Sequence, residues 1–271
     1  MKSFETWFAG YTAEVRSRIS GASFIAGANT EWNWPVADIS AVLSEVDLKI
    51  DHTYLVRDHC IEIAKWLELS DKDVELAGII GLFHDLGRFR QAIGFGTMDD
   101  RVTGLHGDLS ADVFLEEAPK GTLSADDIEV IVDALRYHNL YEIPEGLSER
   151  SLLFTQIVRD ADKLDIFRFY VDKCEARGFR HIMSEEDGAY SPKMLEGVLR
   201  GENQKTSDIQ NKNDRKLMQI SLVYNMNFGY TFRWMLEKDY LAEITGVADG
   251  TADDVMKQVY AYATEWMKER V

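Results

Sequence analysis

The stretch "GIIGLFHDLGRFRQ", residues 78–91, sets an imidazole and a carboxylate side by side, His84 and Asp85, at the end of an apolar run. Further groups of the same chemistry lie on either side: His52 in "HTYLVRDHC", His106 in "GLHGDLSA", His138 in "RYHN", and the acids of "RDADKLD", residues 159–165. With Asp162 standing for that last motif, successive members fall 32, 22, 32 and 24 residues apart, each interval about one helix and a connection. Antiparallel helices of that length would bring them all to one place. Imidazole and carboxylate together suit borderline divalent ions such as manganese, iron, cobalt, nickel or zinc, and the lack of thiolates at these positions argues against a structural zinc site. The chemistry in prospect is that of a catalytic metal. Neighbouring residues diverge by about 100° around a helix axis, so His84 can hold one ion while Asp85 joins it or reaches a second.

The elements that must position these groups read as helices. Only four prolines occur, and apolar residues recur at helical spacing with few alternating stretches. In "SADDIEVIVDALRYH", Ser124 and Asp127 form a capping pair and Ile128, Ile131, Leu135 and His138 share one face. His52, Val56, Cys60, Ile63 and Leu67 share another, and "SDKDVELAGIIGLFHDLG" runs from a Ser70 cap to the His-Asp pair with Gly87 as its stop. A long helix is expected through "LLFTQIVRDADKLDIFRFYV". Residues 176–213 are polar and less periodic. Two strong helices then close the chain, "DRKLMQISLVYNMNF" continuing into "YTFRWMLEKDYLAEI", and "TADDVMKQVYAYATEWMKERV" with Thr251 and Asp254 as a capping pair. The aromatics Tyr224, Phe228, Phe232, Trp234 and Trp266 are expected to pack as core or lid.

Composition narrows the partners. The 271 residues carry a net charge of −17, from 47 acids against 30 bases, so the average field repels nucleic acid and anionic membranes. A small phosphorylated ligand is still compatible, because a few local cations decide binding at contact range. Two cysteines, Cys60 and Cys174, without CxxC spacing, fit a reduced, cytoplasmic setting, and no segment offers the apolar length of a membrane span.

In order and local sequence, His52, His84-Asp85 and Asp162 resemble the H…HD…D signature of the HD-domain metal-dependent phosphohydrolase superfamily over roughly residues 45–175. "HTYLVRDHC" is similar to that family's opening, "GLFHDLGRF" to its HD-x-G-[KR] centre and "ADKLD" to its closing motif; the tail resembles a bacterial HD branch. The resemblance implies an all-α bundle: a single domain over 1–271, with the HD core followed by a helical extension from about 176. It implies Asp162, rather than Asp160, as a metal ligand beside His52, His84 and Asp85. It places His106 and His138 where dinuclear relatives hold a second ion, with Asp85 bridging. The chain departs from the HD-GYP phosphodiesterases, having one histidine in "RYHNLYEIPEG" and no GYP, and it lacks the HD-ED pattern.

The activity so implied is phosphohydrolase or phosphodiesterase cleavage of a small phosphoester, a nucleotide or derivative, by water whose pKa one or two ions lower. Arg88 is expected to neutralise charge on the phosphoryl oxygens, with Lys163 and Arg57 as further substrate-binding cations and Asp165 orienting a ligand from behind. Residues 185–213, with Lys193, Arg200, Lys205 and Lys212, are read as a solvated loop or a lid over the phosphate. His181 is expected to be exposed. Two other readings keep the ligand set: a di-iron oxygenase on the same scaffold, and a metal-containing module that binds without catalysis. Oligomeric state is not legible.

Overall fold

The computed structural model describes residues 1–21, 39–173 and 186–271. Among these the regular elements are thirteen α-helices and two short 3-10 turns, with no strand, as an all-α fold requires. His181 and Cys174 lie outside the described residues, as does the 176–185 part of the polar stretch. The chain divides into two compact units, Met1–Arg159 and Asp160–Val271.

The first unit contains α1 (Lys2–Gly21), α2 (Ile39–Trp66), α3 (Asp71–Phe83), α4 (Leu86–Phe95), the short α5 (Asp100–Thr103), α6 (His106–Glu117) and α7 (Ala125–Tyr137). It also takes in the start of α8 (Glu149–Lys173), through Arg159. Local chemistry starts these helices where the sequence indicates. The Ser70 hydroxyl accepts from Asp73 N, and Ser124 and Asp127 form a reciprocal capping box. Asp127, almost fully buried, also takes Lys72 and Arg150, and Arg150 reaches Asp73, so one guanidinium ties the first turns of α3 and α7 to α8. A buried cluster of rings, Phe8 on Phe89 and Phe83 on Phe114 and Phe4, fills the interior.

Glycines let the histidine-bearing helices approach one another. A Cβ on Gly81 would lie 2.7 Å from Arg57 Cα where α3 meets α2. One on Gly87 would lie 2.2 Å from His106 O where α4 meets α6, and one on Gly107 2.7 Å from Arg136 O where α6 meets α7. Gly87 therefore does not stop α3, which ends at Phe83; it sits in the first turn of α4 as a contact point, its N–H donating to Ser110 Oγ at 2.8 Å.

The second unit takes the rest of α8 and adds α9 (Pro192–Leu199), α10 (Lys212–Ser221), α11 (Gly229–Lys238), α12 (Tyr240–Thr245) and α13 (Asp254–Lys268). Its core includes Leu164, Phe167, Leu217, Ile220, Phe232 and Val259, and Trp266 packs edge-on against Tyr224 and Phe232. Two expectations are corrected. The run from 214 to 244 is not continuous: a 3-10 turn at Leu222–Asn225 ends α10, and Asp239 adopts φ +51° between α11 and α12. The cap of α13 is Asp253, which accepts from Met256 N, while Thr251 turns its hydroxyl to Asp249. Within 186–213, α9 and a 3-10 turn are ordered, and Lys193, Arg200 and Lys212 pair with Asp208, Glu202 and Asp187.

Candidate metal centre

His84 is the C-cap of α3 and Asp85 the N-cap of α4, with Asp85 at φ −105°, ψ 17°. The adjacent pair is thus the joint between two helices, and the change of direction there aims both side chains at one point. His52 arrives from α2, His106 from the first residue of α6, and His138 from the C-cap of α7. All five side chains are buried.

They form two groups that share Asp85: His52, His84 and Asp85, and Asp85, His106 and His138. In the first, His52 Nε2 and His84 Nε2 are 3.2 Å apart and lie 3.5 and 3.4 Å from Asp85 Oδ2. In the second, His106 Nε2 and His138 Nε2 are 3.1 Å apart, and His106 Nε2 lies 3.4 Å from Asp85 Oδ1. Asp85 Oδ2 faces the first imidazole pair, and Oδ1 faces His106 of the second.

The far side of each ring decides what the near side can do. Nδ1 of His84 meets Gly81 O at 2.8 Å, Nδ1 of His138 meets Leu135 O at 2.8 Å, and Nδ1 of His106 meets Asp100 Oδ2 at 2.7 Å. A carbonyl or carboxylate only accepts, so these three rings carry their proton on Nδ1 and turn an Nε2 lone pair inward. Lone pairs 3.1 Å apart, facing a carboxylate, repel unless a cation lies among them. Protonation of His106 supplies it poorly, since burial pushes that imidazole below its ordinary value despite its hydrogen bond to Asp100. A divalent ion supplies it well: two ligand atoms about 2.1 Å from one ion and about 100° apart are separated by roughly 3.2 Å, as these pairs are. The residues present fit a metal.

Outer partners hold the cluster in shape. Asp100 orients His106 and also takes Arg88 Nη1 at 2.8 Å and Gln91 Nε2 at 2.9 Å; although burial raises its carboxyl, these donors bring it to about 2. Burial likewise raises the Asp85 carboxyl, but the Lys49 ammonium 2.7 Å away outweighs it and holds the group well below the carboxylate range. Arg159, buried, donates to the carbonyls of Tyr137, His138, Leu140 and Tyr141 and so closes the last turn of α7 where His138 sits. Replacing Asp100 with Asn should weaken metal binding about 10- to 100-fold, the usual effect of losing such a carboxylate behind a ligand histidine, with the fold intact by circular dichroism.

The other expected site residues are placed as follows. Arg88 is anchored through Nη1 to Asp100 and Met98 O, while its Nε, buried and without a hydrogen-bond partner, stands 3.8 Å from Asp85 Oδ1. Arg57 is engaged by Glu5 and Asp58 and lies over the Tyr54 ring. Asp162, Lys163 and Asp165 belong to the second unit. There Asp165 pairs with Arg168, and the buried Lys163 lies close enough to Asp160 to act on its charge. Asp160, the competing acid of that motif, is committed elsewhere: its carboxylate accepts from Asn227 N and Nδ2 and Phe228 N, just before α11, and from Thr231 Oγ1 in its first turn.

Sequence reasoning missed Lys49, Asp100 and Arg159. Lys49 lies one turn before His52, a spacing that could have flagged it; Asp100 and Arg159 reach the site across the fold and carry no local signal. In comparison with known proteins, the HD domain matches residues 50–166 of this chain, a span that begins just before His52 and ends just after the "RDADKLD" motif. No curated protein and no solved structure matches the chain.

Proposed function

We propose, from the premise that this chain carries an HD domain of the metal-dependent hydrolase superfamily at residues 50–166, that it hydrolyses a small phosphoester at a centre of two divalent ions. The observation that carries the reading is that Asp85 belongs to two imidazole groups, with Oδ2 toward His52 and His84 and Oδ1 toward His106. Bound there, such ions supply an activated water nucleophile and a Lewis acid for the phosphoryl oxygens.

The chain's own residues do the rest. His52, His84 and Asp85 would hold one ion, and Asp85, His106 and His138 the other. Asp162 adds a ligand, a role that rests on the likeness of "ADKLD" to the family's closing motif. Arg88 directs its unpartnered Nε–H at the reacting group, and its Nη1 anchors keep that donor from turning away as charge develops. Lys163, Arg57 and Asp165 remain candidates for binding the substrate or supporting a ligand. The acidic chain favours a small phosphoester over a polyanion, and the family resemblance points to a nucleotide or nucleotide derivative.

The test is metal content by elemental analysis of wild type and His138→Ala, followed by phosphate release from a panel of phosphoesters with manganese added. Near two ions per chain falling toward one in the variant, with phosphate released by wild type, supports the reading. One ion in both proteins reduces the centre to a mononuclear one with His138 as packing. Oxygen uptake by the iron-loaded protein without phosphate release replaces hydrolysis with oxygenase chemistry.

A further inference from the structure

Two cations flank Asp85, one on each oxygen. Arg88 stands on the Oδ1 side, fixed by Asp100 and Met98 O. On the Oδ2 side Lys49 Nζ lies 2.7 Å from the oxygen, closer than any imidazole comes to that carboxylate. Among the described residues Asp85 is the one hydrogen-bond partner of that ammonium, and the Lys49 side chain is 31 % exposed. The oxygen it occupies is the same one that faces His52 and His84.

We infer that Lys49 is an exchangeable counter-ion: it neutralises Asp85 while His52 and His84 hold no ion, yields Oδ2 when they do, and then meets the anionic group of the substrate. The inference rests on the metal-centre reading and adds a residue and a sequence of events to it. A buried carboxylate without a counter-charge is costly, so a centre that fills and empties needs a placeholder cation to stay formed. Once an ion takes Oδ2, the ammonium faces a like charge and loses its partner. Lysine suits that exchange, being a point charge on a flexible stem with three donors, and its α2 backbone one turn from His52 keeps it beside the site. A phosphate oxygen is the partner left for it. Arg88 cannot exchange in this way, because its anchors do not include the ligand oxygens.

The test titrates manganese by calorimetry into chelator-treated wild type, Lys49→Met and Lys49→Arg, then inorganic phosphate into each manganese-loaded protein. Lys49→Met should bind manganese about fivefold more tightly, the size of a partly exposed ion pair removed from competition, and should melt lower than wild type when metal-free. Its loaded form should bind phosphate at least about tenfold more weakly, the loss of one charge-assisted contact, while Lys49→Arg stays near wild type. Unchanged or weaker manganese binding in folded Lys49→Met, or unchanged phosphate binding, overturns the inference. If Lys49→Met does not fold, Lys49→Gln, which still donates to Asp85 without the charge, carries the same comparison. Wild type that binds manganese but cleaves no phosphoester overturns the hydrolase reading and leaves the manganese comparison intact.

Discussion

Asp85→Asn should hold neither ion. The carboxylate is the one member common to both groups, and an amide offers one neutral oxygen where the carboxylate offers two charged ones. Elemental analysis should find metal falling to near zero rather than by half, and turnover should drop by more than the roughly 10- to 100-fold typical of an outer-shell loss. The variant also strands Lys49, costing the metal-free protein roughly 2 kcal/mol, less than the roughly 3–5 of a fully buried pair because Lys49 is part exposed. The acid limb of its stability curve checks this independently. The Lys49 charge holds the Asp85 carboxyl below its unfolded value, so the ionised group stabilises the fold above about pH 4 and that share is lost as acid protonates it. Metal-free Asp85→Asn should lack that part of the acid-induced loss. Metal retained at half occupancy would show that the two groups do not depend on one shared carboxylate.

Gly87→Ala should destabilise the first unit by about 3 kcal/mol, the upper end for overpacking. A Cβ there would meet His106 O at 2.2 Å and Ser110 N at 2.8 Å, and backbone atoms cannot rotate aside. Relief requires α4 and α6 to separate, which draws His106 away from Asp85, so metal affinity should fall with stability. Gly94→Ala on the same helix has nothing within 4 Å of its Cβ and is the control. It should stabilise slightly, by up to about 1 kcal/mol, the ordinary gain of alanine over glycine in a helix. Denaturant midpoints and manganese titration of both variants decide this; equal midpoints would show that the α4–α6 contact yields cheaply.

Local chemistry made much of this legible in advance. The caps at Ser70 and Ser124 depend on residues three positions apart, and the stripe from Ile131 through Leu135 to His138 is an interval property of one helix, so sequence alone determined these helices and the inward face of His138. The order and spacing of His52, His84-Asp85, His106 and His138 likewise marked five groups that the fold brings together. What tertiary structure decided is which groups serve them. Gly87 reads locally as a helix stop, yet acts as a contact point because a different helix passes over it. The run from 214 to 244 reads as one helix, yet breaks near residue 227, where Asp160, distant in sequence, takes the backbone N–H groups of the two residues before α11. Asp100 fixes the ring of His106 and Arg159 the backbone carbonyl of His138 from other elements, and Lys49 pairs with the Asp85 oxygen that faces His52 and His84. Helix periodicity and capping act over a few residues and are written in the chain. The partners of a buried charge are whichever polar groups the packed helices carry to it, and only the fold settles which those are.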